Sequence, residues 1–305
     1  MLVYTFRRLI VALLVAITVM SLAFLLTRLS GDLAVSIAGP GASAQDVELV
    51  RKAYGLDRPL LIQFLDWVRH AAMGDFGESY FFKEKVSSLI LGRLPVTVTL
   101  GLVGLSIALA VALPFGVLAA MREGSWVDRA VTLFAMIGQA IPSFWLGLIL
   151  MITFGLLLGW LPISGTGTWQ HYVMPGIVLA FTAIPALMRL TRSGMIEALS
   201  SDYVRTARAK GLSRASIVLK HALRNAAIPV VSIAAVQLGF MLGGSIVIET
   251  VFALHGIGFL AWESIGKNDF PVVQAIVLVL SLTYIALTLL ADVLNAVLDP
   301  RLRAA

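Results

Sequence analysis

Residues 130–188 read AVTLFAMIGQAIPSFWLGLILMITFGLLLGWLPISGTGTWQHYVMPGIVLAFTAIPALM, 59 consecutive positions without Asp, Glu, Lys or Arg. A helix needs about 20 apolar residues to cross the hydrocarbon of a bilayer. This stretch is too long for one crossing and must fold back. Its break lies at Gly159-Trp160-Leu161-Pro162-Ile163-Ser164-Gly165-Thr166-Gly167-Thr168-Trp169, a Gly/Pro cluster with Trp at both ends. Trp favours the headgroup level, and Gly/Pro clusters mark turns. The stretch therefore predicts two helices, near 131–158 and 172–192.

Four more charge-free stretches supply one helix each: Leu9 to Thr27, Leu94 to Met121, Asn225 to Ile248 and Phe270 to Ala291. The expectation is an all-α integral membrane protein with six transmembrane helices. Composition agrees. Of 305 residues, 59% are apolar and only 13% charged, too few to cover a soluble surface. The chain is too apolar for disorder. It has no cysteine, which excludes disulfides, thiolate metal sites and thiol nucleophiles. The first stretch follows Arg7-Arg8 and precedes Ala42-Ser43-Ala44, a signal-like arrangement. Its 19 residues exceed a signal core of about 7–15, and the small-residue site lies too far beyond it. It reads as a retained span.

With both termini cytoplasmic, the inner segments carry 14 basic and six acidic residues, and the outer ones nine and 11. That asymmetry follows the positive-inside rule. The basic balance is thereby explained by topology, without nucleic acid. The expected organisation is an N-terminal span over 1–29, an extracytoplasmic helical cap over 30–94, a five-helix core over 95–294 and a cytoplasmic tail over 295–305. In the cap, Ser43 with Asp46 predicts a helix start and Gly55 its end. Asp57 with Pro59 predicts a second helix, stopped by Gly74, with Leu60, Leu61, Phe64, Leu65, Val68 and Ala71 on one face. A third is expected over Lys83 to Leu91. The cap reads as a lid over the helix ends, with a docking or gating role as the alternative.

Within the core, the inner loop 193–228 differs in kind. Gly211 is a natural helix stop and Ser213 a natural cap for the next helix. Arg205, Arg208 and Lys210 lie on the first helix, with Ala207 and Ala209 between them. Small residues permit close approach of another surface, and the cations can pair with carboxylates. A positive-inside loop touching anionic lipid is the plainer alternative. The helix–glycine–helix order favours a rigid knob presented to a partner.

At this loop the sequence resembles a known family. Asp202-Tyr203-Val204-Arg205-Thr206-Ala207-Arg208-Ala209-Lys210-Gly211-Leu212, followed by His221-Ala222-Leu223-Arg224-Asn225-Ala226 and Ile228-Pro229, is similar to the "EAA" loop of ABC importer permeases of the dipeptide/oligopeptide/nickel branch. Arg205-Thr206-Ala207 replaces the general Glu-Ala-Ala, and His221, Leu223 and Arg224 replace its Ile, Leu and Pro, as in the peptide branch. The likeness extends through Leu56-Asp57-Arg58-Pro59-Leu60, Gly74-Asp75-Phe76-Gly77-Glu78-Ser79, Arg93-Leu94-Pro95-Val96-Thr97, Gly243 to Glu249, Asp269 to Gln274 and Asp299 to Arg303. The turn Ala253 to Gly258 departs from the family's Trp-Pro-Gly-Leu-Gly.

The resemblance implies a type I ABC importer permease fold, without chemistry of its own. Its implied partners are a second similar permease chain, two cytoplasmic ABC ATPase domains and an extracytoplasmic solute-binding protein. No cofactor is expected in this chain, and no Gly-x-x-x-x-Gly-Lys-Ser/Thr loop is present. ATP and magnesium would belong to the ATPase subunits. The loop residues Asp202, Tyr203, Arg205, Thr206, Ala207, Arg208, Lys210 and Gly211 would couple to the ATPase. The implied cargo is a dipeptide or oligopeptide, with glutathione or a nickel chelate as the alternative.

Pathway candidates come from the residues themselves. Gln139, Pro142, Ser143, Thr182, Pro185, Gln237 and Ser245 are polar or helix-breaking positions at membrane depth, where such residues face protein or a water-filled cavity. Glu249 reads as a solvated carboxylate at the outer end of span five. The four histidines lack ligand spacing, so no metal site is expected. A secondary transporter is disfavoured because no ionisable residue sits near a span centre. An intramembrane serine hydrolase would need a Ser–His pair at one depth, and Ser164 with His171 offers only a turn.

Overall fold

A computed structural model describes residues 2–29, 31–39 and 41–298, with side chains over 6–294 of those ranges. The described residues are helical, with one isolated bridge between Glu78 and Lys85 and no strand. In lipid, backbone polar groups must be satisfied within the segment, so long charge-free stretches become helices.

The first helix, α1 (Leu2–Leu29), turns most of its leucines outward. Two short helices follow. Asp32 caps α2 (Leu33–Ala38) by accepting from Ala34 N–H, and the Arg51 guanidinium beside it holds its carboxyl below the usual range. Ser43 and Asp46 form the expected capping box of α3 (Ala44–Ala53), and Gly55 closes the turn at φ 61°. Next, α4 (Leu60–Ala72) has Pro59 at its N-cap, while Asp57 stays in the preceding turn. The face expected to be buried is divided. Phe64 and neighbouring Trp67 pack on Phe24 of α1, while Leu60, Leu61 and Leu65 remain exposed.

The third cap helix is absent as a separate element. Instead α5 (Val86–Met121) runs 36 residues through Pro95 and Pro114, across the expected boundary at 94. Val86 and Ile90 pack against Ile257, Leu260 and Val272, and this tertiary packing holds the first turns. The 130–188 stretch begins inside α6 (Trp126–Ala140), breaks at Ile141-Pro142, and resumes as α7 (Ser143–Leu150), which continues as a π-helical turn over Met151–Leu157. The two halves meet at 99°. The expectation of an unbroken helix over 131–158 gives way at Pro142, which lacks an N–H and disfavours helical geometry at the preceding residue; Ile141 is extended, at φ −79° and ψ 124°. The Gly/Pro cluster over 159–168 is the expected turn, and a 3-10 turn (Trp169–Tyr172) leads into α8 (Val173–Ser200).

After α8 come α9 (Asp202–Ala209) and α10 (Arg214–Ser216), then a π-helical turn over Ile217–Ala222 that opens α11 (Leu223–Gly244). Beyond it lie α12 (Ile246–Val251), α13 (Ile257–Gly266) and α14 (Phe270–Leu298). Among the described residues, five helices are long and apolar enough to cross a membrane, and the bent α6–α7 pair makes a sixth if it counts as one crossing.

The main core lies where α5, α8 and α11 meet, around Leu100, Leu179, Leu187 and Met241. Small residues set its spacing. A Cβ on Gly116 of α5 would stand 2.7 Å from the Thr191 side chain and 2.9 Å from the Met188 carbonyl. Toward the other end, a Cβ on Gly176 would meet Val103 at 2.7 Å, so α5 and α8 run parallel. An ion pair of 3.1 Å between Arg8 and Asp292 brings the start of α1 to the end of α14.

Candidate functional site

The knob is α9, the Lys210–Ser213 turn and α10. Val204 and Ala207 of α9 are buried against Ile217, a small apolar contact that seats the helix on the bundle. Every other residue singled out on it points outward: Asp202, Tyr203, Arg205, Thr206, Arg208, Lys210 and Gly211 are all exposed. Gly211 has φ 73°, a left-handed conformation that glycine adopts without strain, and its N–H donates to the Arg208 carbonyl at 3.0 Å. Ser213 Oγ accepts from Ser216 N–H at 3.3 Å and restarts the helix. The chain therefore reverses within four residues as the sequence pattern expects.

The close approach expected at Ala207 is internal. The side chain faces Ile217, and the small residue left outside is Ala209. Arg205 and Asp202 form a loose pair at 3.4 Å, with side chains 80% and 94% exposed, which leaves the guanidinium available to a partner. Between 201 and 216 the knob carries four cations and one carboxylate.

Behind the knob stands a clamp absent from the sequence reading. Arg192 of α8 donates through Nε to Asp128 Oδ1 at 2.6 Å and through Nη2 to Oδ2 at 2.7 Å. Gly124 N–H completes the carboxylate at 3.0 Å. Bidentate Arg–carboxylate pairs fix direction as well as distance. This pair ties the start of α6 to α8, about two turns before the end of α8 at Ser200. The Ser125-x-x-Asp128 capping spacing was visible in the sequence, but nothing there pointed to Arg192, 64 residues away.

At the opposite end, Glu249 is fully buried and not solvated. Its Oε1 accepts from Thr97 Oγ1 and Ser245 Oγ, both at 2.8 Å, and its Oε2 accepts from Phe259 N–H at 2.9 Å. Ile257 N–H donates to Thr97 Oγ1 at 2.8 Å. The first N–H groups of α13 thus converge on the Thr97–Glu249 pair and hold the carboxylate, which has no ion pair among the described residues. Asp269, also fully buried, accepts from Ser79 Oγ and from the N–H groups of Tyr80 and Phe81.

The pathway candidates differ in exposure. Pro142 and Ser143 mark the 99° break, with exposed Gln139 just before it. Thr182 is exposed and donates to the Leu179 carbonyl, while Gln237 is half-buried on α11. Pro185 is buried within α8, and Ser245 is committed to Glu249.

Long apolar helices around a small-residue core, with a cationic helix–glycine–helix projection at one end, make this a polytopic helical membrane protein with one charged, exposed projection. The chain belongs to the family described as the binding-protein-dependent transport system inner membrane component, which it matches over residues 112–304, with the matching N-terminal component over 1–101. It is 43% identical over 304 residues to the glutathione transport system permease protein GsiC of Salmonella choleraesuis (strain SC-B67), covering 99% of both chains. The protein of that name in Escherichia coli (strain K12) is 42% identical over the same length. Among solved structures, an inward-facing MetNI methionine ABC transporter chain aligns with a TM-score of 0.58 at 21% identity, covering 69% of this chain and 96% of that one. The chain is a permease subunit of an ABC importer of the bacterial inner membrane.

Proposed function

We propose that this permease forms half of the translocation pathway of a peptide importer and receives its motion through the knob. The observation that carries this is the division within α9. Two residues seat it, and every charged group on it is presented outward. The Asp128–Arg192 clamp supports the lever behind it, so that a push on α9 would displace α8 and α6 together. The complex contains a second similar permease chain, two cytoplasmic ATPase domains that hold ATP and magnesium, and an extracytoplasmic solute-binding protein.

The knob end is cytoplasmic, as are both termini. The parallel run of α5 and α8 supports six crossings. After α5 the chain must return once before α8, and only α6–α7 is available for that return. The Arg8–Asp292 pair supports placing both termini together. Residues 30–94 shield the outer helix ends, and the pathway draws on Gln139, Pro142, Ser143, Thr182 and Gln237, with Pro185 and Ser245 shaping the helices behind them.

The cargo is a short peptide. Relatives named for glutathione transport favour glutathione, itself a tripeptide, within that class. The test is reconstitution: purified chain with its co-purifying subunits in vesicles, supplied with binding protein and ATP. Glutathione or dipeptide uptake that stops without ATP supports the proposal. Uptake by this chain alone overturns it.

A further inference from the structure

Two cavities adjoin where α1, α13 and α14 meet at the cap end. One, of about 420 Å³, has a mixed wall in which Arg28, Glu78, Tyr80, Lys83 and Gln274 stand among apolar side chains such as Trp67 and Phe76. The other, of about 390 Å³, is an apolar groove that includes Leu22, Leu26, Ile265, Val273 and Val277. Gln274 lines both.

Among the described residues, three buried polar atoms around these cavities have no hydrogen-bond partner: Arg28 Nε, Gln274 Nε2 and Ser264 Oγ. Gln274 is 91% buried, and Ser264, in the groove wall, is fully buried. A buried donor left unpaired costs about 1–3 kcal/mol, so three around one junction call for something that completes them. Arg28 forms no ion pair among the described residues, and its guanidinium lies 4.9 Å from the centre of the Phe24 ring. Lys83 adds a second cation against the single carboxylate of Glu78. The Tyr80 phenol, pushed up to about 12 by burial, is a further donor in the same wall. Water could meet the polar atoms, but it would not fill an apolar groove. The complementary molecule carries an oxyanion at one end and hydrocarbon at the other.

We propose that this junction is a phospholipid site, with the phosphodiester held by Arg28 and Gln274 and an acyl chain lying in the groove between α1 and α14. The lipid staples α1, which otherwise packs on α14 and α4, to the body of the protein. Assigning it to the outer leaflet rests on the orientation proposed above, whereas the site itself does not.

Native mass spectrometry of the full chain with its co-purifying subunits tests this. Wild type retains one phospholipid through detergent washing, and Arg28→Ala or Gln274→Leu lowers the retained fraction about tenfold. Arg28→Lys keeps the charge and most of the lipid. Leu22→Trp fills the groove from its exposed wall, removes the lipid and spares the polar atoms. After delipidation, phosphatidylglycerol rebinds, and neither diacylglycerol of the same chain length nor inorganic phosphate competes with it. Equal retention by wild type and the Arg28→Ala/Gln274→Leu double variant overturns the proposal. So does diacylglycerol binding as well as phosphatidylglycerol. Protection by inorganic phosphate alone would make this a free-anion site and overturn the lipid assignment.

Discussion

The two ends of the bundle treat their charges in opposite ways. At the cap end, Glu249 and Asp269 are fully buried, and hydroxyls and backbone N–H groups donate to both. At the knob end, Arg205, Arg208 and Lys210 stand in solvent, and the Arg205–Asp202 pair at 3.4 Å leaves both side chains mostly exposed. A buried carboxylate with its acceptor capacity filled fixes the geometry of its own chain, because removing it strands several donors. An exposed cation contributes little to its own fold. The cap end is therefore built to hold, and the knob end to be held by another molecule.

This contrast is sharpest in stability. Glu249→Leu strands the Phe259 N–H and two hydroxyls, and should destabilise by about 3 kcal/mol or more, read as lost thermal stability in detergent. Glu249→Gln, which keeps an acceptor oxygen, should cost about 1 kcal/mol. Matching melting curves for wild type and Glu249→Leu would erase the distinction between the two ends.

The clamp lies between these extremes. Arg192→Ala leaves Asp128 with only its backbone and capping contacts. The Arg192 side chain is 30% exposed, which reduces the cost to about 1–2 kcal/mol. Its larger effect should be on ATP-driven uptake relative to ATP hydrolysis, because the lever loses its brace. A double-mutant cycle with Asp128→Ala measures the coupling, and additive losses would remove the brace from the account.

On the knob, Ala209→Trp adds bulk to an exposed position without disturbing the Val204–Ala207–Ile217 contact. It should abolish uptake and leave the melting curve unchanged. Ala207→Trp should do both kinds of damage, since that side chain is internal. The smallest effect belongs to Lys210→Ala, at about 0–1 kcal/mol of docking energy and an uptake loss of at most about fivefold.

The pattern of legibility follows from the range of the interactions. The long apolar stretches, the capping box of α3 and the Gly211 reversal are local, and each is set by residues within a few positions. The burial of Glu249 is not local. Its partners include Thr97, 152 residues away, and the end of α11 must break at Ser245 before the carboxylate can turn inward. Likewise Pro142 announces a bend, but its 99° size depends on how α7 packs against α12. In Gly147 a Cβ would already stand 3.1 Å from Phe252. The inward turn of Ala207 depends on Ile217, which lies beyond the glycine turn.

The chain contains no native cysteine, so a single Ala209→Cys substitution places one thiol on the outer face of the knob. Disulfide trapping of that thiol against single cysteines on the co-purifying ATPase, with and without ATP, tests the coupling directly. The account predicts a cross-link to one ATPase subunit, reversible by reduction and accompanied by arrest of uptake. A fully active transporter whose Ala209→Cys thiol reaches no ATPase position in any nucleotide state would contradict it.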